Sequence, residues 1–141
     1  LPGNYKDMCG NETCIEYQGV KYYFRGNFPE ENNFVVIDFG SIDHCRIQTL
    51  EQCELLILCG TTKPYEIDYL KAALNYLNEL PLNIVLSFVP KDAQKGIADV
   101  LKRDNRQVYF TEYSPELFNK KVNEKIFKEI VKEYIQVEAG E

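Results

Sequence analysis

The sequence of 141 residues lacks several features that would identify a function directly. It contains no Trp, one Met, one His and eight Gly. No two glycines fall at the spacing of the phosphate-binding motifs G-x-x-x-x-G-K-[ST] or G-x-G-x-x-G. A Ser–His–Asp triad would have to be built from neighbours in one loop, Ser41, Asp43 and His44, and the G-x-S-x-G elbow is absent. The sequence therefore predicts neither a common nucleotide-binding loop nor a catalytic triad.

Positive charge and long apolar runs are also scarce. The 16 Lys and Arg residues are outnumbered by 22 Asp and Glu, which gives a formal net charge of −6. Proteins that bind nucleic acid through its phosphates need clustered basic residues. The basic residues of 91–106 and 120–132 are instead interleaved with acidic ones, so we expect no direct contact with nucleic acid. No apolar run approaches the ~18 residues of a membrane helix, so no membrane span is predicted.

The chain has an odd number of cysteines without a common metal-binding spacing. An odd count, with two cysteines in or beside apolar runs, is typical of free thiols in a reducing compartment, and we expect a cytoplasmic protein. A zinc site is not predicted, although a set of three cysteines with His44 remains an alternative. The five cysteines are Cys9, Cys14, Cys45, Cys53 and Cys59.

Apolar runs alternate with helical patterns along most of the chain. Continuous apolar strands indicate a parallel sheet covered on both faces. We therefore predict one α/β domain: a three-layer sandwich with a mostly parallel sheet, formed by βα repeats over 34–137. Residues 1–33 are predicted to be an N-terminal extension that contains a β-hairpin turning at Gln18-Gly19. The predicted strands are 34–40, 54–60, 83–90 and 107–113, the last nearest an edge; the predicted helices are 64–80, 91–104 and 120–137.

Ligands of open α/β sheets bind beyond the carboxyl ends of the strands. Four polar segments follow the predicted strands there: 38–44, 59–66, 88–92 and 111–116. Asp38 and Asp43 offer oxygen ligands for Mg²⁺, with Asp38 as the predicted metal ligand. The alternative is that these are ordinary turns, with Thr62 as a helix N-cap. The candidate ligand-binding residues are Asp38, Gly40, Ser41, Asp43, Gly60, Thr61 and Lys63.

Three segments, "FVVIDFG", "CELLILCGTTKPYEIDYLKAALNYL" and "PLNIVLSFVP", together resemble the second half of the P-loop ATPases of the plasmid-partition and septum-site family. The resemblance covers roughly 34–137. It places Asp38 at the Walker B aspartate, Glu54 at an aspartate before the next strand, and Ser87 where the family commonly has an adenine-reading Asn. The family's Walker A loop has no counterpart here. The resemblance thus implies a P-loop ATPase-like half with no cofactor of its own.

Two interpretations of the missing loop stay open. Residue 1 is Leu rather than Met, so the chain can be a fragment whose phosphate loop lies upstream, in which case it would bind Mg-nucleotide. Otherwise the domain is a degenerate relative that does not hydrolyse ATP, because nothing would neutralise the γ-phosphate. As it stands, we expect an interaction or regulatory domain that binds a protein partner or a second copy of itself. The alternatives are a small metal-dependent α/β enzyme with Asp38 and Asp43 as ligands, and a receiver-like signalling domain.

Overall fold

The computed structural model describes residues 14–17, 19–23, 35–42, 47–116, 119 and 121–134. The chain divides into two compact units, Leu1–Asp38 and Phe39–Glu141. The first contains an antiparallel hairpin of β1 (Cys14–Tyr17) and β2 (Val20–Tyr23), in which Tyr17 pairs with Val20. Gly19 has a φ of 78°, which a two-residue hairpin turn favours. The hairpin predicted from the sequence is therefore present.

The second unit alternates strands and helices around a parallel sheet. Within the described residues the sheet has three strands in the order β3-β4-β5, and both neighbouring pairs are parallel. This confirms an α/β chain with a parallel sheet. The elements are α1 (Ile47–Leu50), β3 (Ile57–Thr61), α2 (Ile67–Tyr76), β4 (Leu82–Ser87), α3 (Lys91–Leu101), β5 (Arg106–Phe110) and α4 (Glu124–Val131).

The core lies on one face of β4. Alternate residues of a strand point to the same face, and on β4 these are Leu82, Ile84 and Leu86, of which the last two are fully buried. Leu70, Leu74 and Leu77, from α2 and its C-cap, belong to the same cluster. Ala93, Ile97 and Leu101 of α3 pack against it. The apolar spacing that predicted both helices is therefore the spacing that packs them against the core, with residues of α2 buried and those of α3 partly buried.

The other face of β4 is also covered, since Val85 is only 3% exposed. On β5, Val108 and Phe110 pack towards the core cluster, so the intervening Tyr109 lies on this second face. Burial raises the pKa of the Tyr109 phenol above its usual value of 10.0. The Glu129 carboxylate adds to the rise, the Lys132 ammonium opposes it and Glu133 adds slightly. Charges near the end of α4 therefore act on the sheet face that carries Tyr109.

Arg106 begins β5 as a buried cation at the amino edge of the sheet. It is 4% exposed, and its Nη2 donates to the carbonyl oxygen of Leu74 (2.9 Å) and to Oδ1 of Asn78 (3.3 Å). Burial lowers the pKa of the guanidinium, and nearby Arg103 lowers it further. A basic side chain at a carbonyl of the last helical turn satisfies an acceptor that the helix leaves open. Arg106 thus joins β5 to the C-terminal end of α2.

The strand predicted over 34–40 is not found in the described residues of that segment. Residues 35–40 form neither strand nor helix, and Val35, Val36 and Ile37 are 39%, 82% and 49% exposed. The described parallel ladders contain only β3, β4 and β5. An apolar run becomes a buried strand only where a neighbouring strand accepts its backbone hydrogen bonds. The apolar character of 34–40 was therefore not enough to predict a strand there.

Smaller differences concern the element ends. The predicted N-cap of α3, Asp92, lies in its first turn, and Pro90 is the N-cap. Thr62 is not the cap of α2, whose N-cap is Glu66. Within the described ranges, no helix is both long and apolar enough to cross a membrane.

Candidate functional site at the carboxyl edge of the sheet

The predicted site residues belong to different parts of the described structure, and one of them lies outside it. Asp38 is exposed and belongs to the first unit, whereas Gly40 and Ser41 are exposed residues of the second. Gly40 has a φ of 68°. Asp43 lies outside the described residues, as does His44. The remaining three, Gly60, Thr61 and Lys63, lie at or just after the end of β3.

The turn after β3 is held by hydrogen bonds of its own. The Thr61 hydroxyl donates to Oε2 of Glu66 (2.7 Å) and accepts the backbone N–H of Lys63 (3.2 Å). The N–H groups of Glu66 and Ile67 both donate to the Lys63 carbonyl oxygen (2.9 and 3.0 Å). These bonds lead from the end of β3 into the first turn of α2, so the turn has a defined shape.

Lys63 extends from this turn to an aromatic side chain at the end of β4. Its Nζ lies 4.4 Å from the ring centroid of Phe88 and 5.8 Å from that of Tyr65. An ammonium group at this distance from a ring is attracted to its π face. Phe88 has a φ of 59° and is 56% exposed. A bulky residue rarely adopts positive φ, and here this conformation ends the central strand.

The ends of β4 and β5 are joined by two hydroxyl groups. Ser87 Oγ and Thr111 Oγ1 hydrogen-bond each other at 2.8 Å, and Thr111 also reaches the Leu86 carbonyl oxygen through its backbone N–H (3.0 Å). Ser87 is the residue that the family resemblance aligns with an adenine-reading Asn. In this structure its hydroxyl forms a hydrogen bond with the hydroxyl of Thr111, which directly follows β5.

The loop after β5 is tied to the start of α4 by one side chain. Oδ1 of Asn123 accepts the backbone N–H of Glu112 (2.9 Å), and its Nδ2 donates to the carbonyl oxygen of the same residue (3.1 Å). The Asn123 amide therefore pairs with Glu112 much as a neighbouring strand would. Further along, Ser114 Oγ accepts the N–H of Glu116 (3.3 Å) and donates to its carbonyl oxygen (3.0 Å). The loop is thus fixed at two points.

These elements line an open pocket of about 470 Å³, which we call the edge pocket. Pockets of ~300–1,000 Å³ are typical of ligand sites. The rings of Phe88 and Tyr113 form adjacent walls, with centroids 5.9 Å apart and planes tilted by 39°. The lining residues are Ser87, Phe88, Thr111, Glu112, Tyr113, Ser114, Glu116, Asn119, Asn123 and Phe127.

The edge pocket has charged residues in and beside its lining. The lining residues that the structure describes include Glu112 and Glu116 but no Lys, Arg or His, and the Lys63 ammonium lies over the ring of Phe88. Lys91 lies outside the lining, and its Nζ is 3.8 Å from Oε1 of Glu112, with both side chains largely exposed. An exposed ion pair of that length contributes at most ~1 kcal/mol. The pocket therefore combines aromatic walls with two glutamates, and two lysines lie beside it.

The described residues offer no ready-made metal centre. Among them, no group of three or more His, Cys, Asp or Glu side chains could hold a metal ion. Cys53 and Cys59 form no disulfide with another described residue. The predicted role of Asp38 as a metal ligand stays a prediction, because its proposed companion Asp43 lies outside the described residues.

The sequence pointed to parts of the edge pocket without identifying its residues. Segments 88–92 and 111–116 were expected at this edge, and they supply Phe88 and the loop from Thr111 to Glu116. Asn123 and Phe127 were not foreseen as site residues, because their place depends on where α4 returns to the sheet. The apolar stripe of the last predicted helix was the only signal for Phe127.

Comparison of the chain with protein-family models, with curated proteins and with solved structures gave no match.

Proposed function

We propose that this chain is an interaction or regulatory domain that recognises a protein partner at the edge pocket and does not hydrolyse ATP. The observation that carries the proposal is the composition of the pocket lining. Its described residues include aromatic rings and two glutamates but no Lys or Arg, whereas a nucleotide would require cations and open backbone amides. A phosphate group placed there would meet Glu112 and Glu116, and like charges repel. A protein partner has the apolar and polar groups that such a surface suits.

The proposed architecture is a P-loop ATPase-like half in three layers. Support comes from the two faces of the sheet: α2 and α3 pack on the face of Leu86, while charges of α4 act on Tyr109 on the other face. Burial of Val85 and of Ile130 of α4, each below 5% exposed, agrees with a covered second face. The resemblance to the partition and septum-site ATPases adds the expectation that such a half belongs to a regulatory switch.

The lack of ATP binding is tested by calorimetry. We expect no heat above dilution when Mg-ATP is titrated into the chain, and no phosphate release over hours. Tight binding of Mg-ATP would overturn the non-hydrolysing interpretation. Thermal unfolding in Mg²⁺ or Mn²⁺ alone tests the metal-dependent alternative, which predicts a raised melting temperature that Asp38→Asn abolishes.

The place of the site is tested by NMR with a library of small neutral aromatic fragments. We expect the fragments that bind to shift the amide signals of Phe88, Thr111 and Tyr113. Phe88→Ala should abolish these shifts, because it removes one wall of the pocket. Tyr69→Ala is the matched control, since it removes a ring that is 70% exposed and lies on α2 outside the pocket lining. Fragments that bind elsewhere and ignore Phe88→Ala would refute the edge pocket as the site.

A further inference from the structure

β5 is an outer strand of the described sheet, and part of its backbone points away from β4. The N–H and C=O groups of one strand residue point to the same side, and this side alternates along the strand. The Thr111 N–H donates to a carbonyl oxygen of β4 (3.0 Å), so the backbone groups of Arg106 and Glu112 face the other side. Val108 and Phe110, which lie between these two, therefore direct their N–H and C=O groups outwards.

These outward groups are open in the described part of the chain. There, no hydrogen bond outside the β4–β5 ladder involves Val108 or Phe110. Both donors and both acceptors of these two residues thus face outwards within a strand of five residues. An unpaired strand edge of this kind is a template for a further strand.

The open part of the edge is bounded at both ends. The Arg106 N–H donates to the carbonyl oxygen of Arg103 (3.0 Å), and the Asn123 amide bonds to both backbone groups of Glu112. Arg103 and Asn123 therefore lie where a neighbouring strand would lie, one at each end. An added strand has little room between them. An antiparallel strand pairs all the open groups over the shortest length, because residues directly opposite each other exchange both of their bonds.

The same two groups argue against a second copy of the chain as the added strand. An antiparallel pairing of two β5 strands about Tyr109 would bring Arg106 of one copy opposite Glu112 of the other. The Arg103 backbone of the first copy and the Asn123 side chain of the second would then compete for one place. A separate peptide segment carries no such groups and can turn away from β5 at both ends.

The side chains of β5 favour apolar residues in that segment. Residues directly opposite each other on neighbouring strands place their side chains on the same face of the sheet. Val108 and Phe110 are half-buried and pack against the core cluster. β-branched or aromatic residues at two alternate positions of the segment would extend this apolar surface.

We propose that β5 accepts an extended segment of a partner protein as an added antiparallel strand, with β-branched or aromatic residues opposite Val108 and Phe110. In this mode of recognition, main-chain hydrogen bonds supply the affinity and alternate side chains supply the specificity. The inference goes beyond the proposed function, because the segment binds beside the sheet and needs no contact with the edge pocket.

The first test is amide hydrogen exchange of the free chain, measured by NMR. We expect fast exchange at Val108 and Phe110, whose N–H groups point outwards. The N–H groups of Tyr109 and Thr111 point to β4 and should exchange slowly. Equal protection of all these amides would mean that a second copy or another segment of the chain already covers the edge, and would overturn the proposal.

The second test is an NMR titration of the full chain with the peptide acetyl-Ser-Val-Thr-Val-Ser-amide, whose valines take the places opposite Val108 and Phe110. The peptide should shift the amide signals of these two residues and slow their exchange. Two N-methylated peptides of identical composition are the matched controls. Methylation of the second valine nitrogen removes a donor that faces β5 and should weaken binding about tenfold. Methylation of the threonine nitrogen, which faces away, should leave binding nearly unchanged. Equal effects of the two methylations, or no binding at β5 up to millimolar peptide, would overturn the proposal.

A pair of protein variants makes the same comparison from the other side. Val108→Pro removes one outward N–H but keeps the bonds to β4, since proline is tolerated where a strand edge faces solvent. It should bind the peptide about tenfold more weakly than Val108→Ala, which loses the side chain but keeps the N–H. Similar binding by both variants would refute the added strand. If the proline variant does not fold, the N-methylated peptides still decide the matter on the unchanged chain.

The outcomes distinguish this inference from the proposed function. A peptide that shifts the signals of Phe88 and Tyr113, but not those of Val108 and Phe110, would bind in the edge pocket. The inference would then fail while the proposed function survives. Binding at β5 without any fragment binding at Phe88 would support the inference and refute the edge pocket as the site.

Discussion

Phe88 provides a test of whether the backbone at the end of β4 is strained. Its φ of 59° costs a residue with a Cβ on the order of 1–2 kcal/mol, whereas glycine adopts such an angle freely. We therefore compare Phe88→Ala with Phe88→Gly. Both variants lose the ring and its contacts to Lys63 and Tyr113, so the difference between them reports the backbone alone.

The expected difference follows from two opposing terms. Alanine retains the strain of about 1–2 kcal/mol, while glycine loses ~0.5–1 kcal/mol more conformational entropy on folding. Phe88→Gly should thus be the more stable variant by about 0.5–1 kcal/mol. With a urea m-value of roughly 1–3 kcal/mol/M, its unfolding midpoint should be higher by a few tenths of a molar.

An ordinary helical position supplies the control. Val100 lies in α3 and is 75% exposed; there Val100→Gly should be less stable than Val100→Ala by ~1 kcal/mol. The glycine variant should therefore be the more stable one at Phe88, and the alanine variant the more stable one at Val100. If Phe88→Ala proves as stable as Phe88→Gly, the positive φ of Phe88 carries no strain and the reasoning is refuted.

Three further substitutions test the packing of the core, the hydrogen bonds of the loop after β5 and the stability of the second unit at high pH. Leu86→Ala removes a fully buried side chain of the central strand and should lower the free energy of unfolding by ~2–5 kcal/mol in urea; a loss below 1 kcal/mol would contradict its place in the core. Asn123→Ala removes two exposed hydrogen bonds to Glu112 and should cost ~1 kcal/mol; faster amide exchange at Glu112 would confirm the cause, and unchanged exchange would count against it. Because the pKa of Tyr109 is raised in the fold, the stability it contributes is complete below about pH 10 and is lost as the pH rises through the folded pKa. Unfolding free energy should therefore fall less between pH 9 and pH 11 in Tyr109→Phe than in the parent chain, whereas Tyr69→Phe, at a 70% exposed position, should keep the parent slope.

The central strand and the helices were predictable because their burial follows local periodicity. The pattern over 64–80 placed α2, and the apolar run at 83–90 placed β4, whose inner residues are almost all buried. For β4 the expectation of a strand covered on both faces is met, since Ile84 and Val85 point to opposite faces and are both buried. Where the local pattern and the tertiary packing agree, a strand or helix can be predicted from the sequence alone.

The apolar runs at 34–40 and 54–60 show where the same argument stops. Each of these two runs predicted a buried strand. Residues 35–40, however, do not form a strand, and in β3 both Ile57, at 40%, and Cys59 are exposed. A run of apolar residues indicates a preference for burial, but it does not determine which strand or helix covers it. The neighbours of a segment are set by topology, which no local pattern contains.

The edge pocket was predictable in position but not in composition. The rule that ligands bind at the carboxyl ends of parallel strands led to the segments that hold Phe88 and Tyr113. The conformation of Phe88 and the pairing of Asn123 with Glu112 arise from three-dimensional constraints. Residues that act through such constraints have no signature in composition or spacing.

The segment "GTTK" shows how packing changes the interpretation of a motif. Gly60 suggested a close approach of backbone to phosphate, yet a Cβ at Gly60 would lie 3.2 Å from Cδ1 of Leu70, so the absence of a side chain there makes room for α2. The Lys63 amide is taken by Thr61, and the Lys63 ammonium lies over the ring of Phe88. Three groups that a phosphate would use are thus engaged within the fold. The open space at this edge lies instead beyond β4 and β5, where Phe88 and Tyr113 line the edge pocket.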